Sequence, residues 1–181
     1  MADARPIWRQ AFNPWAVGLL LTAILIAPLL SLTHWAPMVV TLVIGNSVTL
    51  TSNVLFILLM AYQLGRLRAV NTFVAVRLGQ RPYHRIVLTT LLIDWLVYTV
   101  SLYTIESLAF GWTHVDVWVV WLFFAVNALM YLVFVGLMAL TLVKLPPTVA
   151  VILAFGVNFV VHYVLLNPLL PRFIAPFNLP T

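Results

Sequence analysis

The chain has 181 residues, 64% hydrophobic and 7% charged, with a formal net charge of +5 and no cysteine. So apolar a composition excludes an ordinary water-soluble domain, and the lack of cysteine excludes disulfides, thiolate metal sites and cysteine nucleophiles. The positive charge reads as a topological signal rather than a nucleic-acid footprint, because loops on the cytoplasmic side of a membrane collect Lys and Arg.

Residues 5–12 come first in chain order. Ile7, Trp8, Ala11 and Phe12 share one helical face with Arg5 and Arg9 beside it, which predicts a short helix lying on the inner leaflet. Five apolar runs follow, at 15–33, 36–62, 86–110, 115–143 and 148–170. A bilayer core about 30 Å thick needs about 20 apolar residues in a helix. Unpaired backbone groups are costly in lipid, and no run alternates with period two, so each run predicts a helix rather than a barrel strand. The first run is long for a secretory h-region and has no small-x-small site after it, so it is expected to be retained. Pro28 removes a hydrogen bond inside that run and predicts a kink. Short external links at 33–37 and 111–114 and the internal turn Lys144-Leu145-Pro146-Pro147 predict antiparallel hairpins between runs one and two, three and four, and four and five. Residues 167–181 carry four prolines and read as an external, partly buried segment. The predicted fold class is therefore an all-α integral membrane protein, a single transmembrane domain over 1–181 in the cell membrane.

The charges orient it. Arg5, Arg9, Arg66, Arg68, Arg77, Arg81, Arg85 and Lys144 all fall on one side of the five runs, and only Arg172 on the other. The positive-inside rule places the N-terminus inside and the C-terminus outside. Asp116 and Glu106 are then expected at the outer face. Trp8 and Trp15 would mark the inner interface and Trp35 and Trp112 the outer one, while Trp95 and Trp121 are expected to pack inside the bundle.

The most informative polar stretch is 63–85. Leu67, Val70, Phe73, Val74 and Arg77 follow helical spacing, predicting an amphipathic helix over roughly 69–78, closed by Gly79 as a C-cap and stopped by Pro82. One reading is a basic loop touching anionic lipid. The other is a docking element for a cytoplasmic partner, where a helix face inserts into a groove and arginines fork onto carboxylates.

The segment Val76-Arg77-Leu78-Gly79-Gln80-Arg81-Pro82-Tyr83 resembles the Arg-hydrophobic-Gly-x-Arg stretch of small ABC export permeases, which occur in bacterial operons handling bacteriocins, lantibiotics or other peptides. In those permeases an interfacial helix precedes the first span, and a coupling helix between the second and third spans contacts the ATPase subunit. The resemblance therefore implies an ATPase-coupling role for Phe73, Arg77, Gly79, Arg81 and Tyr83. It covers about a dozen residues beyond the shared topology. The family usually has six spans, against the five counted in this chain.

Polar groups within the runs are the other candidates, since such groups usually face protein or water. Thr90, Asp94, Tyr98 and Ser101 form one face of the third run. Asp94 reads as a hydrogen-bonded helix contact or as a pathway or gating group. Asn158 and His162 lie one turn apart on the fifth run, and His162 is a conceivable partner for Asp94. Asn46, Thr49 and Asn53 share a face of the second run, beside the small residues Thr41, Gly45 and Ser52. Helix packing, including packing between two copies, and a polar substrate route are both open there, as they are for Asn127 in the fourth.

The four histidines have no metal-ligand spacing, there is no Walker lysine motif and no G-x-S-x-G, and the four acidic residues are scattered. No metal, cofactor or intrinsic enzymatic activity is expected. The sequence-level expectation is a permease subunit of an ABC transporter, exporting a peptide or hydrophobic substrate. Its partners would be a cytoplasmic ATPase subunit, a second permease copy or related permease chain, and the lipid bilayer. Two alternatives stay open: a small-solute-binding subunit of a multi-component importer, with a pocket near Asp116, and a non-transporting accessory or immunity subunit.

Overall fold

The structure, a computed structural model, describes residues 5–31, 47–70, 79–110 and 117–169. All regular structure among them is helical: α1 (Arg5–Ala11), α2 (Pro14–Ser31), α3 (Asn53–Ala69), α4 (Gln80–Phe110), α5 (Val117–Leu140) and α6 (Pro147–Val160). Two π-helical turns extend this set without a break. Ser47–Ser52 leads into α3, and Val161–Leu166 prolongs α6. Four continuous helices, Leu50–Ala69, Gln80–Phe110, Val117–Leu140 and Pro147–Leu169, are long and apolar enough to cross a membrane. The fifth apolar helix, α2, has 18 residues, about 27 Å at 1.5 Å per residue, and falls just short of the bilayer core. Residues 36–46, the start of the expected second span, lie outside the described residues, as do Trp35, Trp112, Asp116 and 170–181.

Helix α3 is the hub. It packs against α1, α2, α4, α5 and α6, while α5 also packs against α4 and α6. The reason lies in composition: of the four spanning helices its run is the least apolar, and polar side chains are cheapest where other helices surround them. Side-chain contacts fix the antiparallel registers. Asn13 meets Tyr62 and Ala23 meets Ser52 between α2 and the α3 run. Tyr98 meets Asn53 between α4 and α3, and Trp95 meets Ala128 between α4 and α5. The contacts fit antiparallel pairing of runs one and two and of runs three and four, while α5 and α6 pack side by side across the turn at 141–144; the links of the first two pairs lie outside the described residues. The outer surface carries Leu25, Leu29, Leu96, Val100, Leu129, Ile152 and Val164, an apolar belt that suits a multi-pass membrane protein.

Several boundaries differ from expectation. The helix ending the second run continues past Tyr62 to Ala69, so Arg66 and Arg68 ride on its last turns rather than in a loop. The next helix starts at Gln80, not Ile86. Gly79 takes a left-handed φ of 83°, a conformation glycine adopts without a Cβ penalty. Pro82 then occupies the first turn of α4, where no backbone N–H is needed, so it helps to open the next helix. Most of the expected 69–78 helix, including Phe73 and Arg77, lies outside the described residues.

Between α5 and α6, residues 141–144 form a turn and Pro147 opens α6 at its first position, with Pro146 extended at ψ 138°. Pro28 is accommodated inside α2, which runs on to Ser31. Trp121 is 56% exposed and faces outward, contrary to a packing role, with its ring T-shaped to Phe124 at 5.5 Å.

Candidate functional site

A polar and aromatic layer crosses the middle of the bundle. Asn53, at the first turn of α3, donates to Asn158 Oδ1 of α6 at 2.8 Å and accepts from the Tyr98 hydroxyl of α4 at 2.9 Å. Ser52 Oγ bonds the carbonyl of Ala23 in α2 and lies 2.9 Å from Tyr98 Oη. Two hydroxyl protons serve three contacts, and either hydroxyl can be the donor between Ser52 and Tyr98. Four helices are tied through these four side chains. The Tyr98 ring stacks on Phe56 at 4.1 Å and 5°, and Tyr131 of α5 closes the cluster edge-on at 5.1 Å from Tyr98. Edge and stacked geometries of this kind add to the area term. Further out, Asn127 donates to Tyr103 Oη at 2.9 Å and to the Phe123 carbonyl at 3.1 Å.

Both π-helical turns adjoin this layer. One ends at Ser52 and the other contains His162, which is buried. Such turns widen a helix and commonly mark functional places. Side-chain periodicity carries no signal for them.

Asp94 and Glu106 stand apart. Both are fully buried on α4, and neither carboxyl has a hydrogen-bond partner among the described residues. Gln63 of α3 is close to Asp94 without a hydrogen bond of good geometry, and one of its two amide protons goes to the Ala11 carbonyl at 3.3 Å. The conceivable Asp94–His162 hydrogen bond is not formed. Glu106, near the Phe110 end of α4, is buried within the bundle close to Tyr98, Tyr103 and Tyr131. Buried acids without partners are costly in a bundle of this kind, and where they occur they usually serve transport or gating.

The third feature is a basic end. Helix α1 is pinned to the end of α3, with Ile7 and Ala11 buried and Arg66 donating to Gln10 Oε1 at 2.7 Å. Its predicted face is correct, although protein covers much of it. Arg68 bonds the Thr141 carbonyl beyond the end of α5. The start of α4 reaches the same place, because Arg68, Gln80, Tyr83, His84, Thr141 and Leu142 enclose a cavity of about 300 Å³. Arg9, Arg66, Arg81, Arg85 and Lys144 are exposed around this end. The only acids among the described residues are Asp94 and Glu106, and neither is there.

Of the residues expected to couple to an ATPase, Gly79 and Arg81 are exposed at this end, and Tyr83 is buried beside the cavity with its hydroxyl covered. Asn53, Asn158, Asp94, Asn127 and His162 are buried as interior polar groups. Asn46 and the Thr49 side chain lie outside the described residues. No group of His, Asp or Glu among the described residues could hold a metal. Set against known protein families, curated proteins and solved structures, the chain matches none of them.

Proposed function

We propose that this chain is the membrane-embedded permease subunit of an ABC-type transporter, spanning five times with the basic end in the cytoplasm and a separate ATPase docked there. One observation carries the reading: the α3 end, the α4 start, the α5–α6 turn and α1 meet at a single cation-rich end that has no acidic residue among the described ones. A partner presenting carboxylates would find arginines on several elements at once.

The connection between α3 and α4 is mechanically suited to relay a push. It joins α4 through the left-handed Gly79, and α3 touches every other helix. ATP-driven closure of two ATPase subunits on 69–81 would therefore tilt the hub and reset its packing between inward and outward states. The polar layer and the unpartnered Asp94 and Glu106 would lie along the route, formed by two copies or by this chain with a related one. The substrate would be a peptide or a hydrophobic molecule.

The test is purification with a candidate ATPase subunit. Arg77→Glu and Arg81→Glu are expected to abolish co-purification and stimulated hydrolysis. Unchanged assembly in both variants refutes the docking role.

A further inference from the structure

Helix α1 and the buried acid of α4 meet through one side chain. Helix α1 ends at Ala11, and the last carbonyls of a helix have no partner within it. Gln63 of α3 supplies one, its Nε2 donating to the Ala11 carbonyl at 3.3 Å. A carbonyl only accepts, so the nitrogen end of the amide is the end that faces it. Two further links tie α1 and its joint with α2 to α3: Arg66 donates to Gln10 Oε1 at 2.7 Å, and Tyr62 Oη to Asn13 Oδ1 at 3.4 Å. Of these three α3 side chains, only Gln63 is buried.

The rest of the Gln63 amide carries one more proton and Oε1, and Oε1 is buried without a hydrogen bond among the described residues. Asp94 lies close to it, fully buried, with both carboxyl oxygens equally without a bond among the described residues. Two neighbouring side chains thus hold three buried polar atoms that need partners. An ionised Asp94 accepts and cannot donate, so it could take the amide proton but would leave Oε1 facing a negative charge. A carboxylic acid has the O–H that Oε1 needs and a carbonyl for the amide proton. A turn of the carboxyl about χ2, a soft torsion, closes two parallel hydrogen bonds between the acid and the amide.

Charge gives the same answer. The titratable groups on the helices packed against α4 are Tyr62, Arg66 and Arg68 on α3 and Tyr131 on α5, with none on α2. Tyr62 and Arg66 are turned to Asn13 and Gln10, Arg68 to the Thr141 carbonyl, and Tyr131 to Tyr98 and Phe56. His162 of α6 forms no hydrogen bond to Asp94. A carboxylate sealed in a bundle without a counter-charge is costly enough that the neutral form replaces it.

We propose that Asp94 stands in this packing as a neutral carboxylic acid paired with the Gln63 amide, and that Gln63 thereby couples the surface helix α1 to the buried acid. While Asp94 is sealed, the pair holds the amide on Ala11 and α1 stays docked. A rearrangement that admits water and removes the proton breaks the pair, and the amide turns to the water and releases Ala11. The link stands whether or not an ATPase docks at the basic end.

The test uses the full-length chain in lipid nanodiscs at neutral pH. Compared with the natural chain, Asp94→Asn should lose one carboxylic-acid carbonyl band in the infrared, and Gln63→Leu should shift that band upward. Spin labels at Arg9→Cys and Ala69→Cys, both exposed, follow α1 against α3. Their distance distribution should stay narrow in Asp94→Asn, whose amide offers Gln63 the same donor and acceptor. It should gain a second, longer component in Asp94→Leu and in Gln63→Leu. Glu106→Gln, about 18 Å further along α4 at 1.5 Å per residue, should change neither the Asp94 band nor the distances.

An Asp94→Asn spectrum that loses no acid band would mean an ionised Asp94 and overturn the pair. A band left in place by Gln63→Leu would remove Gln63 as its partner. A distribution in Asp94→Leu as narrow as in the natural chain, or a loosening in Glu106→Gln as large as in Asp94→Leu, would overturn the coupling. If Gln63→Leu fails to fold, the Asp94→Asn spectrum and the Asp94→Leu distances still decide.

Discussion

Tyr98→Phe separates the two things the central layer does. The substitution deletes one oxygen. With it go the contacts of Tyr98 Oη to Asn53 Oδ1 and to Ser52 Oγ, each at 2.9 Å, while the ring keeps its stack on Phe56 at 4.1 Å. Hydrogen bonds between membrane helices average about 0.6 kcal/mol and reach about 1.7, so two such contacts should cost about 1 kcal/mol together. Tyr98→Ala removes the ring as well. Because Tyr98, Phe56 and Tyr131 are all fully buried, the cavity left behind cannot close easily, and the cost should be about 3–5 kcal/mol. Both values can be read from reversible unfolding in mixed micelles, followed by tryptophan fluorescence. The cycle of Tyr98→Phe with Asn53→Ala should return a coupling of about 0.6–1.7 kcal/mol. A coupling of zero, or a phenylalanine variant as unstable as the alanine one, would refute the claim that the hydroxyl network and the ring stack contribute separately.

Asp94→Asn and Glu106→Gln have no hydrogen bond among the described residues to lose, so unfolding free energies should move by no more than about 1 kcal/mol while substrate transport in reconstituted vesicles falls sharply. Transport at the unmodified rate in both variants would return these acids to a packing role. Gly79→Ala should destabilise by about 1 kcal/mol through its left-handed φ, because among the described residues the added Cβ meets only Pro82 Cδ at 3.9 Å. Chemical denaturation checks this, and a neutral result would mean that the α3–α4 junction relaxes freely. Gly136→Ala, in the interior of α5 with nothing within 4 Å of its new Cβ, should stabilise by about 0.5–1 kcal/mol, measured in the same way.

The apolar run lengths and the paired prolines were sufficient to read the helices and their hairpins, because bilayer thickness and the missing proline N–H act locally. Asn53 and Asn158 were legible as interior groups from their depth in apolar runs. That they bond to each other was not, since the partner of a polar side chain depends on helix rotation, which composition leaves open. The burial of Glu106 was not legible for a similar reason: it shares the side of α4 that carries Tyr98 and Tyr103, and which side of a helix meets its neighbours depends on that same rotation. The limits of α3 and α4 were misjudged because Arg66, Arg68, Arg81 and Arg85 interrupt the apolar pattern without interrupting the helix. Charged residues end a membrane crossing but not the backbone hydrogen bonding. Tyr83 shows the same limit from the other side: a motif position expected at a protein interface is enclosed by residues from three separate elements.

The orientation of the basic end underlies the docking reading. The natural chain has no cysteine, so single cysteines report without background. Arg85→Cys sits at the exposed start of α4 and Ala109→Cys at its exposed far end. A membrane-impermeant maleimide applied to intact cells should label Ala109→Cys, and should label Arg85→Cys only after permeabilisation. Labelling of Arg85→Cys in intact cells would contradict the account.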